Sequence, residues 1–158
     1  MKCLSLWQPW ASLVVHGFKH VETRSWETSY RGPLLIHASA KFDRPSMDLI
    51  ATPIFEAAFV QVGVNYANCD DLPFGAIIGV VDLIKCVPVA MMDVVEFAGQ
   101  PALTEREREF GDFSPGRFCW LLGKYRFFLN PIEYCGHQRI FNVPDEVVAA
   151  QLRTAVPA

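Results

Sequence analysis

Residues 75–89, Gly-Ala-Ile-Ile-Gly-Val-Val-Asp-Leu-Ile-Lys-Cys-Val-Pro-Val, carry the strongest strand signal in the chain. Their β-branched side chains suit a pleated backbone. Asp82 is the only acid in the run. Gly79 is expected at a bulge or where another backbone comes close. By alternation Asp82 shares a face with Ile78 and Val80. If that face is interior, the carboxylate needs a cationic partner, because a lone buried charge is costly. Lys19 or Arg24 is the expected partner. The plainer reading puts Asp82 near a strand end, accepting bonds from turn amides.

Other extended segments surround this run. Residues 2–6, 21–26, 34–39, 117–128, 131–135 and 138–141 read as strands, with a turn at Tyr30-Arg31-Gly32-Pro33. Residues 8–17 read as a helix, with Pro9 in its first turn and Gly17 just past its end. Trp10, Leu13 and Val14 recur at helical spacing and are expected in the core. Residues 46–62 are helical in character, interrupted or kinked at Pro53. Thr104-Glu105-Arg106-Glu107 looks like an N-cap and first turn, and the alternating charges of 105–109 read as an exposed, salt-bridged helix. Residues 145–153 form a terminal helix. Strands with helices appended, in no regular βαβ rhythm, predict an α+β fold with a small mixed or antiparallel barrel.

With 158 residues, the chain reads as a single domain, residues 1–158. A chain of this size buries roughly two thirds of its unfolded surface, so it needs neither metal nor disulfide to fold. No apolar run approaches the roughly 20 residues of a membrane span. The N-terminal residues lack a signal-peptide pattern. The expectation is a soluble, cytoplasmic protein with no membrane partner. Cysteines stand at 3, 69, 86, 119 and 135, an odd number without a C-x-x-C pair. That disfavours zinc ligation and a disulfide framework; buried, inert thiols are expected at 86 and 119. No cofactor or metal is expected.

Net charge is −3, which argues against a general polyanion binder. The charge is uneven, however. Between His16 and Arg44, cations at 19, 24, 31, 41 and 44 outnumber acids at 22, 27 and 43. The centre of this region is Gly17-Phe18-Lys19-His20-Val21-Glu22-Thr23-Arg24-Ser25-Trp26. If the segment after the glycine is extended, Glu22, Arg24 and Trp26 share one face, with Lys19 at its entrance. A cation, a carboxylate, a planar fork donor and a flat ring suit a nucleobase with its phosphate. The competing reading is a simple Glu22–Arg24 pair on a solvated face. Trp7 and Trp26 are candidates for base stacking. Tyr30 and Arg31 on their turn, and Gln8, His37 and Ser39, complete the expected ligand-binding set.

Three segments in order carry a family resemblance: Leu6-Trp7-Gln8-Pro9-Trp10-Ala11, the G-x-K-x-x-E-x-R stretch at 17–24, and Arg31-Gly32-Pro33-Leu34-Leu35-Ile36-His37-Ala38. The Gly75 to Leu83 strand and a Pro131-Ile132 to Phe141 ending follow. With these the chain resembles the ASCH (activating signal cointegrator homology) domain family of the PUA-like superfamily, over nearly its whole length. The resemblance implies a PUA-like small mixed or antiparallel β-barrel, a helix near its mouth, flanking helices, and a cleft beside Lys19. It also implies a role near RNA or modified nucleosides, since the family includes RNA-binding modules, acetylcytidine amidohydrolases and a ribonuclease activity.

The amidohydrolase branch is similar at Lys19, its catalytic lysine position. It has a threonine three residues later and a glutamate on the later strand, where this chain has Glu22 and Asp82. Asp is one methylene shorter, and Glu22 keeps Lys19 charged, which suits neither a nucleophile nor a base. The expected function is therefore a binding module for single-stranded RNA or a modified nucleoside or nucleotide. The alternative is a small metal-independent hydrolase using Lys19, Glu22 and Asp82. A third class is a protein-interaction domain with a vestigial cleft.

Overall fold

The computed structural model describes residues 1–41, 48–61, 71–97 and 100–158. The segment expected as a helix over 46–62 is therefore described only in part, and Cys69 and Arg44 lie outside the described residues. Nine strands appear among them: β1 Lys2–Leu6, β2 Val21–Arg24, β3 Gly32–Ala38, β4 Ala76–Pro88, β5 Glu96–Phe97, β6 Gln100–Pro101, β7 Phe118–Glu133, β8 Ile140–Asn142 and β9 Val156–Pro157. Four α-helices with bounds inside the described residues accompany them, α1 Trp10–Val15, α2 Pro53–Gln61, α3 Glu105–Glu109 and α4 Asp145–Thr154, and residues 48–50 are helical as well.

Seven strands form one sheet in the order β2-β7-β4-β3-β1-β8, with β9 also on β7. Only β1 and β3 run parallel. The result is an α+β fold whose curled, mostly antiparallel half-barrel sheet is flanked by helices, as a PUA-like small barrel requires. The curl comes from the long β4–β7 pair, whose register shifts between Ile77 and Gly79, Val80 and Asp82, and Leu83 and Lys85. Each irregularity bends the strand and adds twist. Gly79 sits where the expected close approach occurs. A Cβ there would stand 2.4 Å from the Arg126 carbonyl oxygen and 2.8 Å from Val15 Cγ1.

That contact seats α1 inside the curl. Ala11, Val14 and Val15 pack with Leu4, Leu34, Ile36, Val81 and Trp120. Leu13 instead joins Phe55, Phe59 and Phe110, which brings α2 and the end of α3 against α1. On the other side α4 buries Val148 with Cys3, Leu35, Val80 and Phe128. Burial pushes the Cys3 thiol up to about 12 and the Cys119 thiol up to about 11, so both are inert. Cys86 is only half-buried.

Several expectations need correction. Trp10 is half-buried rather than core, because it starts α1 at the open end of the curl. The interruption expected at Pro53 does occur: residues 48–50 are helical, 51–52 are not, and Pro53 opens α2, where its missing N–H costs nothing. Residues 118–133 form one bulged strand rather than separate pieces. The second strand ends at Arg24, before Trp26. Glu107, expected on an exposed helix, is fully buried.

Candidate functional site

An open cleft of about 1210 Å³ lies inside the curl. Its walls come from β1, β2, β3, the start of α1, residues 109–112 with Arg117, and residues 134–139. The approach to it begins at the end of α1. Gly17 has φ +68, and its N–H and that of Phe18 return to the Val14 and Leu13 carbonyls at 3.1 and 2.9 Å. Glycine takes this left-handed conformation at little cost. The turn delivers Lys19 to the edge of β2.

β2 pairs only with β7, and its other edge is covered by three charged side chains. Lys19, 1% exposed, donates its ammonium to the Val21 carbonyl. Glu107 accepts the His20 and Val21 backbone amides, the latter at 3.2 Å. Arg117 donates to the Thr23 carbonyl at 3.3 Å and pairs with Asp112 at 3.3 Å. Burial raises the Glu107 carboxyl, opposed chiefly by the nearby Lys19 charge. Edge groups that would otherwise be unpaired are thus satisfied.

Glu22 and Arg24 share the cleft face of β2, as alternation requires. Arg24 Nε lies 3.0 Å from Glu22 Oε1, and Arg24 Nη2 donates to the Ser5 carbonyl at 3.0 Å. Trp26 follows the strand, packed edge-on against buried Trp120 with centroids 4.6 Å apart. The Arg139 guanidinium lies 5.7 Å from the Trp26 ring centroid, within cation–π range. Trp7, 46% exposed, and Trp10 also line the cleft. Three of the four tryptophans therefore reach the cleft.

At the floor, His37 and Ser5 pair across β1 and β3, with Ser5 Oγ 3.1 Å from His37 Nδ1. His37 Nε2 lies 2.9 Å from the Tyr134 carbonyl oxygen. Burial lowers the His37 pKa. Ser39 lies at the rim, its hydroxyl accepting the Lys41 amide at 3.2 Å.

Trp7, Lys19, Glu22, Arg24, Trp26, His37 and Ser39 thus converge in the cleft. Gln8, Tyr30, Arg31 and Asp82 do not line it. Gln8 is fully buried, bonded to the Pro73 carbonyl at 2.9 Å and the Ser12 amide at 3.1 Å. Tyr30 donates to the Pro33 carbonyl, and Arg31 to Thr28 and Tyr30 carbonyls at 2.9 and 2.6 Å, so both hold their own turn. Asp82 pairs with Lys124 at 2.9 Å. Its neighbours Val81 and Leu83 fill the core beneath α1, so Asp82 faces the other way. The bulges had broken the simple alternation: Ile78 and Val80 themselves pack in different clusters.

The sequence alone does not mark Glu107, Trp10, Arg117 and Arg139 as site residues. Glu107 had a readable signal. It stands three residues before buried Phe110, on the same side of a short helix. Arg117 and Arg139 look like ordinary surface charges in sequence. Cleft residues include the cations Lys19, Arg24, Lys41, Arg117 and Arg139 against the acids Glu22, Glu109 and Asp112. The balance is positive on a chain whose net charge is −3. Among the described residues no group of three or more His, Cys, Asp or Glu could hold a metal ion. None of their helices is long and apolar enough to cross a membrane.

A half-barrel with a cleft beside a G-x-K-x-x-E-x-R turn places this chain among the PUA-like folds. The ASCH domain pattern matches residues 4–121, and the chain belongs to the ASCH domain family. Over 86 residues, 54% of its length, it is 44% identical to Activating signal cointegrator 1 of Homo sapiens and, equally, of Mus musculus. The match spans 14% of those proteins' length. The crystal structure of ASCH from Zymomonas mobilis superposes with a TM-score of 0.54 at 16% identity, covering 98% of this chain and 94% of that one. A mutant of the same protein gives 0.53, covering 98% and 97%. Similarity at this level concerns the fold.

Proposed function

We propose that the cleft binds single-stranded RNA, or a modified nucleoside or nucleotide, rather than turning it over. One observation carries this reading: Trp7, Trp10 and Trp26 line the same open cleft as Arg24, Lys41, Arg117 and Arg139. Flat rings accept stacked bases, at about 1–3 kcal/mol per base, and cations beside them meet phosphates. Membership of the ASCH family supports a ligand of this class.

Binding is favoured over hydrolysis by where the charges sit. A Lys19-based hydrolase needs a lysine free to act and carboxylates around it. Lys19 is engaged with the Val21 carbonyl, and Asp82 with Lys124. The test is a titration with short single-stranded RNAs and a panel of modified nucleosides, following tryptophan fluorescence and product formation together. Quenching that saturates, weakens with added salt and leaves the ligand intact is expected. Absence of binding at low salt sinks the proposal, and turnover lost in Lys19→Ala replaces it with the hydrolase.

A further inference from the structure

The Ser5–His37 pair has a fixed hydrogen-bond polarity. The Tyr134 carbonyl can only accept, so the His37 Nε2 that lies 2.9 Å from it carries the proton. His37 is 2% exposed, and burial favours its neutral form. A neutral ring protonated at Nε2 leaves Nδ1 bare. The 3.1 Å contact to Ser5 Oγ is then a bond donated by the serine. A hydroxyl has one hydrogen, and here it is committed. Any ligand group approaching Ser5 from the cleft meets lone pairs alone.

The position of this acceptor is held from two sides. Arg24 Nη2 binds the Ser5 carbonyl at 3.0 Å. Gly136 packs against the pair, and a Cβ there would stand 2.4 Å from His37 Cε1 and 2.8 Å from Ser5 Oγ. Only glycine lets the chain pass this close.

We infer that Ser5, oriented by His37, reads the edge of a base and selects one with an amino group where uracil has its O4 carbonyl and hypoxanthine its O6 carbonyl, cytosine or adenine, over uracil. An amino group donates to the serine oxygen. The O4 carbonyl of uracil would place lone pairs against lone pairs. This deepens the nucleic-acid reading of the cleft and rests on it.

The experiment compares CMP with UMP, and AMP with IMP, by tryptophan fluorescence in the intact chain, beside a short mixed-sequence RNA. Each pair differs in an amino group against a carbonyl and in the ring nitrogen beside it, which is bare in one and protonated in the other; the Ser5→Ala arm isolates the contact to the serine. The amino-bearing member is expected to bind about fivefold tighter, as one neutral hydrogen bond allows. In Ser5→Ala both ratios are expected to fall close to one, with UMP affinity little changed; the melting temperature drops by a few degrees because His37 Nδ1 loses its donor, and binding is read well below it. Equal binding within each pair by the wild-type protein, or a preference that survives Ser5→Ala, overturns the inference while leaving the cleft a nucleotide site. Failure of every nucleotide and of the RNA to bind removes the underlying reading and the inference together.

Discussion

Arg24 Nη2 donates to the Ser5 carbonyl oxygen across 3.0 Å and so ties β2, at one end of the sheet path, to β1 near the other. The same guanidinium faces Glu22 at 3.0 Å. Arg24→Ala would leave both partners unmatched, each largely out of water. It is expected to lower stability by about 1.5–3 kcal/mol, the range for hydrogen bonds to charged groups. Arg24→Lys keeps the charge and loses the fork, and should fall between wild type and alanine. Chemical denaturation checks this; an unchanged midpoint in Arg24→Ala would show that the arginine does not hold the curl.

Lys19 and Glu107 should behave as structural charges. Glu107→Ala strands two backbone amides in the interior, at about 1–3 kcal/mol for each unsatisfied group. Lys19→Ala leaves the Val21 carbonyl unpaired and removes the cation that chiefly opposes the effect of burial on Glu107. Both are expected to lower the melting temperature by several degrees, more than Lys41→Ala, whose side chain is exposed at the rim. Hydrogen exchange at β2 should accelerate in the first two. Wild-type stability in Lys19→Ala would return the lysine to a purely ligand-facing role.

Much of the barrel is legible in the sequence, because β-branched runs and the glycine turn after α1 are local signals. The 75–89 strand and the Gly17 C-terminal turn follow directly from residue chemistry. Legibility fails where long-range geometry decides. Alternation puts Asp82 on the face of Ile78 and Val80, but the register breaks along β4 shift the period. Gln8 lies in a motif with two tryptophans, yet tertiary packing turns it inward to the Pro73 carbonyl. Trp10 fits a core stripe, and its exposure depends on where the sheet stops curling. Glu107 lies more than eighty positions from the amides it serves.

Acid should destabilise the fold before the carboxylates titrate. Burial lowers the pKa of His16, His20 and His37 below 6.5. A depressed base binds fewer protons folded than unfolded, so its contribution is present above 6.5 and lost as pH falls. Glu107 has the opposite sign. Its raised carboxyl favours the folded state below 4.5 and loses that contribution as pH rises through its folded value. Melting temperature is expected to drop between about pH 6.5 and 5, and His16→Gln should flatten the slope. A flat profile over that interval contradicts the histidine assignment.

The two kinds of tryptophan should separate cleanly on substitution. Trp10 lines the cleft and is half-buried, so under the proposed function its ring is placed to stack a base rather than to fill the core. Trp10→Ala is expected to weaken RNA binding by about 1–3 kcal/mol, the range for one stacked base, with a small change in melting temperature. Trp120 is fully buried behind Trp26. Trp120→Ala opens a cavity and should cost about 3–5 kcal/mol. Its indole N–H has no hydrogen-bond partner among the described residues, so Trp120→Phe removes an unsatisfied donor while keeping a ring against Trp26. That offset makes Trp120→Phe the milder change by a wide margin. Paired denaturation and RNA titration distinguish the cases. If Trp10→Ala unfolds the domain while Trp120→Ala is tolerated, the division between cleft and core argued from burial is reversed.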